Sequence, residues 1–144
     1  MSELHLRGIS TALALLDETL CAFELWASGR EDHGVLYHEQ NTLSAQEREE
    51  ILSAIPQIRQ VLEEMRDKLG LQPKVENVAS NIWAWCWILM EPLQELEGRH
   101  LRRYGEPPAE LVEYVDPKVA QLCELLGRVG KIASEARTRP AGCA

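Results

Sequence analysis

Asp32, His33, Tyr37, His38 and Glu39 crowd into one short stretch of a 144-residue chain, and each is a type that binds metals or exchanges protons. His-x4-His is not a recognised ligand spacing without a helix beneath it, so a polar loop facing water is the plainer reading. Asp17 and Glu24 form a second acidic set, seven residues apart on one edge of a helical stripe. Paired carboxylates can hold a divalent cation or do acid/base work. Two helical turns place these about 10 Å apart, too far for one shared ion unless loop residues join in. Asp17, Glu24, His33, His38 and Glu39 are therefore the candidate ligand site, with solvated flanking residues as the alternative.

The segment Ile82-Trp-Ala-Trp-Cys-Trp-Ile-Leu-Met90 carries more information. On a helix, at about 100° per residue, Trp83 and Trp87 lie about 40° apart while Trp85 faces nearly the opposite side. A helix apolar all round is buried all round. In a simple bundle one face of each helix meets water, so the second face of this one needs a cover: the long first loop, a second copy, or a ligand. Trp83, Trp85, Trp87 and Met90, with Trp26 of the first helix, are the candidate interface or pocket residues. A homodimer is the favoured cover, because two-fold dimers are the commonest oligomers and a bare Trp, Ile and Met patch invites aggregation. The alternating tryptophans also suit a strand, but no second convincing strand is available to pair with it.

Other chemistry finds little support. Cys21, Cys86, Cys123 and Cys143 form no C-x-x-C pair and read as reduced thiols. No glycine-rich phosphate loop, G-x-S-x-G or H-E-x-x-H occurs, and the inward Glu and the pair of Glu-x-x-His motifs of a ferritin-like di-iron site are absent. Glu47-x-x-Glu50 followed by Glu64-x-x-Asp67 resembles the acidic magnesium-binding signature of the all-α nucleoside triphosphate pyrophosphohydrolases of the MazG type. In that family the two pairs come from different helices and converge. Here both lie in one helical pattern, roughly 25 Å apart along the axis, and cannot share a metal unless Pro56 breaks the helix into a hairpin. No metal and no cofactor is expected.

Four stretches of helical periodicity must position these groups. The first, Leu6, Ile9, Leu13, Leu16, Leu20, Phe23 and Ala27, predicts a helix over residues 3 to 28, stopped by Gly29. The second opens on a capping box, Ser44-Ala-Gln-Glu47, and ends at Gly70, with Pro56 predicted to kink it. The third is expected from Val75 to Tyr104 with a kink at Pro92. A short turn at Ala109 to Tyr114 then precedes a fourth helix capped by Asp116 and started by Pro117. The expected fold is all-α: a four-helix up-and-down bundle with a long loop, residues 29 to 43, between helices 1 and 2. Residues 1 to 137 are expected to form a single domain and residues 138 to 144 a disordered tail.

Composition narrows the function classes. Hydrophobic residues at 45% and charged residues at 26% suit an ordinary globule. A formal charge of -8 repels phosphate backbones and anionic lipid, so neither nucleic acid nor a membrane is an expected partner. The longest apolar run, nine residues, is well short of the ~20 that span a bilayer. The N-terminus lacks a signal-peptide pattern, and a cytoplasmic location is expected. The sequence thus favours a small acidic binding or regulatory module, not an enzyme, that self-associates through its Trp-rich helix. The alternatives are a ligand- or metal-binding bundle or an enzyme, with a pocket for a small apolar ligand lined by tryptophans, the helix-1 carboxylates and the His-containing loop, and an acidic immunity- or antidote-type protein that binds a protein partner.

Overall fold

The computed structural model describes residues 2–140 and Gly142. Among these, the chain is all-helical: α1 (Glu3–Ala27), α2 (Ala45–Leu69), α3 (Val78–Gln94), α4 (Gly98–Leu101) and α5 (Ala109–Ala136), with a 3-10 turn at Arg102–Tyr104. Five helices stand where four were expected. The chain divides into two compact units, residues 1–74 and 75–144.

The first unit is a helical hairpin. Ser2 caps α1 by accepting from the His5 backbone N–H. Gly29, at φ 97°, ends it: its N–H donates to the Trp26 carbonyl and that of Arg30 to Leu25, the paired bonds of a Schellman motif. A Cβ on Gly29 would run into the Arg48 guanidinium, so the glycine also lets α2 approach. The expected capping box forms at α2, with Ser44 accepting from the Glu47 N–H while the Glu47 carboxylate accepts from the Ser44 N–H. Glu24 pairs with Arg59 at 2.7 Å, whereas Gly29 lies by Arg48; the falling register makes α1 and α2 antiparallel. Leu20, Ala27 and Ile55 are the buried side chains of this hairpin. Pro56 does not divide α2. It sits on an exposed side of the helix, where water can reach the carbonyl it leaves free.

In the second unit α3 and α5 pack antiparallel: Cys86 lies against Gly130 and Met90 against Gly127, while Trp83 meets Arg137. Two boundaries differ from the periodicity. The stretch expected to run to Tyr104 stops at Gln94, two residues past Pro92, and restarts as α4. The turn at Ala109 and the helix expected from Pro117 are one continuous helix. A single contact accounts for both. Gly98 comes so close to α5 that a Cβ there would stand 2.7 Å from Val112 Cγ1. Its N–H donates to Asp116 Oδ1 at 2.9 Å, so Asp116 serves the start of α4 and not that of α5. Thr138–Pro140 lie beyond the last helix, while Ala141, Cys143 and Ala144, the rest of the expected tail bar Gly142, lie outside the described residues.

Candidate functional site

The connection between α1 and α2 is built, not slack. His33 and His38 form an antiparallel bridge; the Gly34 N–H donates to the Tyr37 carbonyl at 2.7 Å and the Glu39 N–H to the Asp32 carbonyl at 2.9 Å. Residues 32 to 39 are thus a short hairpin. Glu39 is its hub: Oε1 accepts from the Asp32 N–H and from the Trp26 indole at 2.9 and 3.2 Å, and Oε2 from the Tyr37 hydroxyl at 2.9 Å. Those donors, the Asp32 amide foremost, hold the Glu39 carboxyl below the usual carboxylate range. The same bond raises the Tyr37 phenol, because the neighbouring carboxylate disfavours a phenolate.

Glu31 performs a parallel task that its sequence position did not signal. Its Oε2 accepts from the Asn41 N–H at 2.7 Å and its Oε1 lies 3.0 Å from His33 Nε2; the Asn41 amide is the larger influence lowering its pKa. Asn41 in turn donates through Nδ2 to the carbonyls of Trp26 and Arg30, tying the hairpin to the end of α1. The two imidazoles face each other edge to face with Nδ1 atoms 3.3 Å apart, a spacing for one hydrogen bond between the rings. His33, His38 and Glu39 are therefore brought into one hairpin, but they are committed to holding it.

Asp17 and Glu24 do not converge. Glu24 is spent on Arg59, and Asp17 makes no hydrogen bond or ion pair among the described residues. No group of three or more His, Cys, Asp and Glu among the described residues is placed to hold a metal ion. Because α2 is continuous, the two acidic pairs at Glu47 and Glu64 stay on one helix, and the geometry of the resembled magnesium site is not formed.

The tryptophans divide as the helical wheel predicts. Trp83 and Trp87 touch edge to face, centroids 6.5 Å apart, and with Met90 they wall a groove of about 400 Å³ against Gly127 and Gly130 of α5. Arg137 lies over the Trp83 ring at 3.8 Å, an arrangement that favours a cation. Trp85 faces away, 58% exposed, and makes no ring contact or hydrogen bond among the described residues. Trp26 belongs to the other unit, where it packs on Phe23 and anchors the hairpin through Glu39.

Much apolar surface is left open. Six hydrophobic side chains are buried among the described residues: Leu20, Ala27, Ile55, Cys86, Val119 and Ala133. Even two separate globules of half this mass would expose only roughly 9,000 Å² together. The chain exposes 11472 Å². Ile82, Trp85, Ile88 and Leu89 of α3 and Leu122, Val129 and Ile132 of α5 are among the uncovered residues. No helix is long and apolar enough to cross a membrane. Comparison with known proteins finds no matching family model, no matching curated protein and no matching solved structure.

Proposed function

We propose that this chain is a small acidic interaction module that forms a homodimer through the Trp-rich helix α3. The observation that carries the reading is the exposure of Trp85 and Trp87, 58% and 64%, on a helix whose flanking faces also present Ile82, Ile88 and Leu89. Aromatic and aliphatic groups so placed gain most by being covered by a partner. An up-and-down four-helix arrangement of α1, α2, α3 and α5, a single domain over residues 1 to 137, is the arrangement we propose for the dimer's protomer. The unpaired thiols Cys21, Cys86 and Cys123 favour a reducing compartment such as the cytoplasm.

The test is the mass in solution by light scattering across a dilution series. Twice 16.3 kDa at high concentration is the expected result. A mass of 16.3 kDa at every concentration refutes the reading. One observation favours a second reading: the α3–α5 groove has the volume and apolar walls of a small-molecule site. Saturable quenching of tryptophan fluorescence by an apolar probe, lost on Gly127→Leu, would support it.

A further inference from the structure

Val35 and Leu36 hold the two central positions of the hairpin turn and are 93% and 97% exposed. Hairpin tips favour polar residues that contact water, and neither Val35 nor Leu36 takes a positive φ that would call for glycine or asparagine. Two apolar side chains in succession break that preference for water contact, and local rules are broken where function compensates. Glu39, Glu31 and Asn41 fix the stem, so the tip is presented with little ordering left to lose when it docks.

The α3–α5 groove has the chemistry to receive it. Trp83, Trp87 and Met90 offer apolar walls, and Gly127 leaves space at the floor, where an added Cβ would meet only Met90 Cε at 3.8 Å. Two cations at the groove have unmet capacity. Lys131 makes no ion pair among the described residues, and Arg137 Nε is buried without a hydrogen-bond partner. The hairpin stem carries Glu31, Asp32 and Glu39 against one arginine, Arg30. Glu135, on the same rim as Lys131, is opposite in sign to Arg30.

We propose that the Val35–Leu36 tip of one copy docks into the α3–α5 groove of a second copy, with the acidic stem facing Lys131 and Arg137. The proposal rests on the self-association reading and names the element that locks it. In a two-fold dimer such an exchange would be reciprocal. Trp85 lies outside the groove, so the two ideas can be separated.

The experiment uses the full chain in sedimentation and light scattering, with the double variant Val35→Ser, Leu36→Ser and, separately, Gly127→Leu. The tip residues are exposed and the glycine has space, so far-UV circular dichroism is expected to match the parent. Each variant alone is expected to dimerise at least about tenfold more weakly. Mixed at a concentration where each alone is monomeric, they are expected to form a heterodimer, because one intact tip then meets one intact groove. A dimeric parent whose dissociation constant both variants leave unchanged overturns the docking and spares self-association. A heterodimer that fails to form also overturns the docking. A parent that is monomeric throughout overturns both.

Discussion

Replacing Trp85 by glutamate is the sharpest test of self-association, because its cost can be worked from the structure. With about 250 Å² for a tryptophan, 58% exposure leaves roughly 145 Å² open to a partner. At about 25 cal/mol per Å² that is worth ~3.5 kcal/mol per copy, and a two-fold interface contains the residue twice. Area never converts in full, since ordering and translational costs accompany association. Keeping under a third of the ~7 kcal/mol total still leaves about 2 kcal/mol, roughly a thirtyfold weaker dimer. Burying the new carboxylate adds to this. The assay is the dissociation constant from a dilution series by light scattering, with far-UV circular dichroism as the control on folding. Trp85 makes no ring contact or hydrogen bond among the described residues, so helicity is expected to hold. A dissociation constant within about threefold of the parent's refutes the placement of Trp85 at the interface.

Three further outcomes follow from contacts already described. Gly98→Ala forces a Cβ to within 2.7 Å of Val112 and is expected to cost about 1–3 kcal/mol in urea unfolding; adding Val112→Ala should recover part of that, and strict additivity would contradict the close approach of α4 to α5. The Glu39 and Glu31 carboxyls have folded pKa values below the ordinary 4.5, so their contribution to hairpin stability is full above that pH and is lost as pH falls through the lowered folded values. Trp26 fluorescence should report this acid step, and Glu39→Gln should remove most of it; an identical acid profile in the variant would show that Glu39 is not the hub. If the open faces close between copies, the thermal midpoint should rise with protein concentration, whereas a midpoint independent of concentration would mean that they close within one chain.

Features fixed by near neighbours were legible in the sequence. Ser44 with Glu47, Gly29 and Gly70 mark helix ends because a cap is a bond between residues a few positions apart. The split of the Trp83 and Trp87 pair from Trp85 follows from helical pitch alone. The break between α3 and α4 was not legible, nor was the continuity of α5 through Pro117. Both depend on Gly98 meeting Val112 and Asp116, a contact between residues far apart in sequence. Asp116 followed by Pro117 reads locally as a helix start, and tertiary packing assigned the aspartate elsewhere. The hairpin was hidden for the opposite reason. Its tip lacks turn residues, and the Glu31 and Asn41 bonds that hold it span up to 15 positions.

Charge adds a constraint on where two copies can meet. At a formal -8 each, identical chains repel, and the repulsion is least where neither presents charge. From Asn77 to Met90 there is no Asp, Glu, Lys, Arg or His, while Glu76 and Glu91 bound the stretch. The segment that most needs covering is thus also the one that a second acidic chain can approach at least electrostatic cost. The acidic stem of the hairpin faces the converse condition, for it needs a local cation, and Lys131 and Arg137 flank the groove as such. Apolar contact at α3 and opposite charge at the groove would both be met by the partner proposed above, a second copy of this chain.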